Sequence, residues 1–207
     1  MSLALLAMTI MAKPKAVNLT VENMHQPLGL STHAPRFSWQ ITDGKKSSVQ
    51  KSYRILVASR PDLLSPSKAD LWDSGTVTSD EQLWLEYAGK KLKDTDRAFW
   101  TVMVTTNHGT SEWAAPQEFG IGLTVESHWA GRWIGADRCI DADRQGYRTR
   151  LAARYLRKKI KLKAEEIRRA TAYIAAVGLA AIYVNGQRQG AHVLAPQPTA
   201  TRETIID

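Results

Sequence analysis

Phe37-Ser38-Trp39-Gln40-Ile41-Thr42 alternates between apolar and polar residues, and Trp100, Val102 and Val104 alternate with Thr101, Met103 and Thr105 in the same way. A period of two sends successive side chains to opposite faces of an extended strand, so these segments predict sheets with one buried face. Tyr53 to Ala58 (YRILVA) is a third run of strand-forming residues. Turn formers punctuate the interval at Asp43-Gly44, Ser74-Gly75, Ala88-Gly89, Asn107-His108-Gly109 and Pro116. Short strands, frequent turns and no long helical pattern predict a β-sandwich of about 100 residues, placed at 17–123.

Composition sets the outer limits. With 207 residues, 43% of them apolar, the chain can bury a real core, which excludes a disordered tail or a stapled miniprotein. The single Cys139 excludes an internal disulfide framework and any cysteine-cluster metal site. Residues 3–12, LALLAMTIMA, are too short to span a bilayer, which takes about 20 residues. They lack the basic residues that precede a signal peptide's apolar part. Residues 1–16 therefore read as an apolar leader or as a signal remnant, and both readings stay open. No later segment reaches membrane-spanning length, so no membrane span is expected.

Several pieces of the first 123 residues resemble a known family. Leu92-Lys93-Asp94-Thr95, the strand from Phe99 to Val104, and Asn107-His108-Gly109-Thr110-Ser111-Glu112-Trp113 resemble the last strands of a fibronectin type III domain. Pro27-Leu28-Gly29-Leu30, Pro35-Arg36-Phe37-Ser38-Trp39, Tyr53 to Ser59 and Leu71-Trp72-Asp73-Ser74-Gly75 narrow this to the N-terminal region of bacterial α-L-rhamnosidases, glycoside hydrolases that release terminal α-L-rhamnose. Phe99 departs from the pattern, since a tyrosine is common there and its hydroxyl would anchor the corner. Trp39 and Trp100 read as core. For Trp72, Trp84 and Trp113 an exposed platform for sugar stacking stands beside core packing, because an amphipathic ring suits one apolar face with a wet edge.

The second part is less legible. Trp129 to Gly135, Ala153 to Lys158, Asn185-Gly186 and Leu194-Ala195-Pro196 resemble the opening of the next rhamnosidase domain, which implies a jelly-roll-like β-sandwich over 124–207, incomplete at this length. The fold class expected is thus all-β: a fibronectin-III/immunoglobulin-like sandwich followed by part of a second one. Asn185-Gly186 after Ile182-Tyr183-Val184 predicts a tight hairpin, since both turn residues tolerate positive φ. Between Leu151 and Val177 a helical period and a strand period compete. Strands are expected there, with a helical turn near 164–169.

Residues 132–169 hold 13 Lys or Arg against 5 Asp or Glu, which accounts for the whole formal charge of +8. Such a run could neutralise phosphates. With only Tyr147 and Tyr155 as interleaved aromatics and no nucleic-acid motif, it reads instead as solvated strand faces beside an acidic neighbour, and nucleic acid is disfavoured as a partner. Asp141, Asp143 and Gln145 open like a calcium loop, but Ala152 stands where a bidentate glutamate should close it. No metal site and no cofactor are expected. His25, His33, His108, His128 and His192 read as scattered surface residues, Asn18-Leu19-Thr20 as a chance sequon, and Asp73 as a turn residue capping backbone amides.

Glycoside hydrolysis uses two carboxylates flanking the scissile bond. In the family resembled they lie in a helical barrel beyond both sandwiches, and no position here matches that motif. Catalytic residues are accordingly none, and substrate-binding residues unknown. The resemblance implies a non-catalytic N-terminal portion of an α-L-rhamnosidase, packing against a catalytic domain and meeting rhamnose-containing glycosides only through that parent. A free-standing carbohydrate-binding or adhesion module is the alternative. A periplasmic or secreted location is expected, with the cytoplasm the remaining option.

Overall fold

The computed structural model describes residues 13–135, 153–161, 167, 169–176 and 179–190. In chain order the strands are β1 (Lys15–Val21), β2 (Arg36–Thr42), β3 (Gln50–Ala58), β4 (Trp72–Asp73), β5 (Val77–Thr78), β6 (Leu85–Glu86), β7 (Arg97–Thr106), β8 (Gly109–Thr110), β9 (Gln117–Gly120), β10 (Ile182–Val184) and β11 (Gln187–Gln189). Two sheets form the sandwich. One has the order β1-β2-β6; the other runs β4-β3-β7-β8, with β5 also on β3 and β9 also on β7. Every pairing within them is antiparallel.

The predicted alternation holds where the sheets face each other. β7 buries Ala98, Trp100, Val102 and Val104, and its register sets Val104 opposite Tyr53, Val102 opposite Ile55 and Trp100 opposite Val57 on β3. From β2, Phe37 and Trp39 enter the same core. The Phe37 ring sits 4.5 Å from Trp100, 5.7 Å from Phe119 and 6.2 Å from Trp72 between centroids, so one side chain joins both sheets. Thr101 is buried on the opposite face of β7, where its hydroxyl donates to the Ala114 carbonyl at 2.7 Å. A polar residue is tolerated there because its hydrogen bond is made.

Turns lie where glycine and aspartate announced them. Asp43 accepts from the Lys45 amide at 3.1 Å and the Ser48 hydroxyl at 2.8 Å, closing the β2–β3 turn. At Gly120 an added Cβ would lie 2.9 Å from the Leu28 carbonyl oxygen, so only glycine lets the Pro27–Leu30 segment run beside the end of β9. There the Leu30 amide donates to Gly120 and the Gly120 amide to Pro27, at 2.9 and 2.7 Å.

β1 was not anticipated as a strand, and it starts at Lys15, inside the stretch read as leader. Its pattern is interrupted: the register with β2 shifts between Val17 and Thr20, where Asn18 takes φ 50°. Asn18 of the formal sequon donates to the Gln40 side chain at 2.6 Å across this irregularity.

The region after 124 is described by itself. A short 3-10 turn occupies Glu126–His128. The strands expected between Leu151 and Val177 do not form among the described residues, and the proposed turn near 164–169 lies largely outside them. Leu156, Ile160, Ile167 and Ile174 are exposed; without a facing apolar layer among the described residues, their alternation has nothing to pack on, and period alone cannot create a strand. Of the jelly-roll-like sandwich the described residues show one antiparallel hairpin, β10 with β11. Its Asn185 and Gly186 take φ 50° and 82°, the two positive values of the expected turn. No helix among the described residues is long and apolar enough to cross a membrane.

Candidate functional site

Of the three tryptophans read as platform candidates, the structure presents one. Trp72 is partly buried against the core, its ring 5.4 Å from Tyr87 and near Phe37, and Trp113 is half-buried. Trp84 is 43% exposed. It stands at the wall of an open groove of about 470 Å³ whose lining includes Tyr53, Trp72, Asp73, Glu81 and Glu86. Aromatic surface and carboxylates thus converge in one concavity.

The groove is built from within the sandwich. Buried Gln50 uses its whole amide: Oε1 accepts from the Trp39 indole at 3.1 Å, while Nε2 donates to the carbonyls of Ser79 and Glu81 at 3.0 and 2.8 Å. This ties the loop after β5 to the core. The Trp39 amide then donates to Gln82, and the Trp84 amide to the Ser38 hydroxyl, both at 3.0 Å. With Phe37 paired to Leu85 and Arg36 to Glu86, residues 79–86 are held at both ends. Between them Trp84 adopts φ 61°, a left-handed conformation that a bulky side chain rarely takes.

Arg36 covers one face of the Trp84 indole, its guanidinium carbon 4.0 Å from the ring centroid. The same arginine donates through Nη2 and Nε to Glu22 at 2.6 and 3.1 Å. That pair holds the Glu22 carboxyl below the usual carboxylate range and lines a neighbouring depression rather than the groove itself. On the groove's other wall Asp73 caps the Gly75 amide at 3.0 Å, as the turn reading required. It also accepts two hydrogen bonds from Arg54, at 2.8 and 2.6 Å, which sequence reasoning missed. Arg54 chiefly, with the Gly75 amide, holds the Asp73 carboxyl low.

Two histidines read as surface residues are instead partners. His108 bonds Asp43 at 3.0 Å and His33 bonds Asp94 at 2.8 Å. Asp94 also receives the Thr124 amide and hydroxyl at 2.8 and 2.6 Å, pinning the chain where it leaves the sandwich. Phe99, which lacks the corner hydroxyl, lies under Arg97, and Tyr87 donates its own hydroxyl to the Lys90 carbonyl at 2.7 Å. Gly89 permits this approach, since a Cβ there would lie 2.6 Å from the Tyr87 hydroxyl and 2.5 Å from the Leu71 carbonyl.

Among the described residues no cluster of His, Cys, Asp and Glu could hold a metal ion. Asp141, Asp143, Gln145 and Ala152, the discounted calcium loop, lie outside the described residues, as do Arg148, Arg150, Lys163 and Arg168 of the basic stretch. Arg154, Arg157, Lys158, Lys159, Lys161 and Arg169 are exposed.

Comparison with known proteins assigns the fold to a family. The model of a "Rha78A-like, N-terminal immunoglobulin domain" matches residues 16–125, more than half of the chain. The chain belongs to the Rha78A-like N-terminal immunoglobulin-domain family. A second family model, the α-L-rhamnosidase N-terminal domain, matches residues 165–206. An α-L-rhamnosidase of Formosa agariphila is 35% identical over 190 residues, which cover 84% of this chain and 20% of that relative. The crystal structure of Streptomyces avermitilis α-L-rhamnosidase complexed with L-rhamnose matches at 38% identity and a TM-score of 0.57, over 60% of this chain and 12% of that one. The α-L-rhamnosidase of Aspergillus terreus, at 18% identity and a TM-score of 0.62, covers 89% of this chain and 20% of its own; it supports the fold alone. The chain spans about a fifth of the length of the curated relatives it matches.

Proposed function

We propose that this chain is a non-catalytic N-terminal portion of an α-L-rhamnosidase, supporting a catalytic domain that hydrolyses terminal α-L-rhamnosides. The observation that carries this reading is the order of the two matches. An N-terminal immunoglobulin domain at 16–125 is followed by a rhamnosidase N-terminal domain at 165–206, in a chain that spans a fifth of its relatives. The site's chemistry agrees. Asp73 in the groove, and Glu22 in the neighbouring depression, are each engaged by an arginine that holds the carboxyl low, whereas a general acid for glycosidic cleavage needs a raised pKa. On this reading the sandwich spans 17–123 and part of the second domain 124–207. The parent works in the periplasm or outside the cell, for which the apolar run at residues 3–12 is the support.

The test is direct. The purified 207-residue chain should release no rhamnose from a chromogenic α-L-rhamnoside, and measurable turnover by it would overturn the non-catalytic role.

A further inference from the structure

The feature left unexplained by folding is Trp84. An indole in a left-handed backbone conformation costs free energy, and exposing it costs more, since that ring could stabilise the core. Leu83 beside it is 65% exposed, so burial of the neighbour does not compensate. Yet the conformation is enforced from both sides, by the Ser38 hydroxyl on the Trp84 amide and by the Gln50 network on the preceding loop. Arg36 then fixes the ring plane from one face. A strained, oriented, solvent-facing aromatic at the edge of a concavity is a preorganised platform.

We propose that the groove walled by Trp84 binds a terminal pyranoside, with the indole stacking on the sugar's C–H face and the carboxylates of Glu81 and Glu86 accepting from its hydroxyls. The groove's makeup selects that class. Its aromatic wall favours an apolar ligand face, while its carboxylates favour a donor-rich, uncharged ligand over an anion. A volume of about 470 Å³ admits one or two sugar units and lies within the range of small-molecule sites. Choosing L-rhamnose as the sugar rests on the family reading above; the site itself rests on the geometry of Trp84.

Two-dimensional NMR of the intact chain, titrated with methyl α-L-rhamnoside and separately with D-glucose, tests this. The Trp84 indole signal and the amides of Glu81 and Glu86 should shift and saturate with the rhamnoside in the millimolar range. Trp113→Ala should bind as the parent chain does. Trp84→Gly should abolish the saturable shifts while leaving the thermal midpoint unchanged or higher, because glycine adopts the required φ without strain. No saturable shift with either sugar, or unchanged binding by Trp84→Gly, would each overturn the proposal, and an equal response to glucose would overturn the choice of L-rhamnose. A Trp84→Gly chain that lost stability would assign the ring a structural role and overturn it as well. None of these results bears on the non-catalytic role, which the turnover assay decides separately.

Discussion

Tyr87 shows how one hydroxyl can organise a corner. Its ring is buried between Phe37 and Trp72, and its oxygen reaches Lys90, with Leu71 at 3.3 Å. Burial, with the charges of Asp70 and Asp96, pushes its pKa up to about 12. A folded-state value above the unfolded one near 10 means that the native state favours the neutral phenol. The stability this represents is complete below about pH 10 and is lost as pH rises through about 12, amounting to about 2 to 3 kcal/mol. Urea denaturation at about pH 9 and about pH 11.5 should show the fall, and Tyr87→Phe should flatten it. The sign reverses for Asp73. Its folded carboxyl, held low by Arg54, contributes stability above its unfolded pKa, near 4, which is lost as pH falls through the folded value.

At the scale of elements, β2 joins the sheets through the rings of Phe37 and Trp39. Phe37 lies among rings from the other sheet, so Phe37→Ala should cost about 3 to 5 kcal/mol, read as a lower denaturation midpoint. Gln50 couples β3 to the loop that carries Trp84. Gln50→Leu would strand the Trp39 indole N–H in the core and should cost about 2 kcal/mol. In hydrogen exchange, the amides of Trp39 and Trp84 should open sooner than those of β7. The strands of β2, β3 and β7 were legible because alternation and turn chemistry act locally and agree with burial there. Gln50 was not, because a polar residue at a strand's start gives no sign of which carbonyls it will meet. Trp84 was only partly legible: its residue type named it a candidate, but its exposure depends on a left-handed backbone set by Ser38 and Gln82. The strands expected between 151 and 177 failed for a complementary reason. Their apolar period was real, and the layer that would make it useful is not among the described residues.

For the whole molecule, the division between the two parts should be measurable. The sandwich has nineteen buried residues in one hydrophobic cluster, whereas Tyr155, Ile160, Leu179 and Tyr183 beyond it are each more than half exposed. Local opening, and hence proteolysis, tracks buried contacts. Limited trypsin treatment should cut first in the basic stretch and leave a resistant fragment ending at Arg132, the first Lys or Arg after Arg97; mass spectrometry showing cleavage before Arg97 as fast as cleavage from Arg132 onward would contradict this. The Asp94 hydrogen bonds to Thr124 place a fixed end on the resistant part. The charge excess, which suggested a polyanion from composition, falls in residues 132–169, beyond the sandwich's 17–123 in the sequence.

The exposed hairpin turn carries a liability of its own. Asn185 precedes Gly186 in a solvent-exposed turn, and glycine offers no side chain to hinder attack of its backbone nitrogen on the asparagine amide. Loss of ammonia in that cyclisation leaves a succinimide, which water opens to aspartate or isoaspartate. The second product inserts an extra methylene into the backbone, which the two-residue turn cannot accept without losing the β10–β11 pairing. The residues that make this hairpin fold also make it the place where the protein ages chemically.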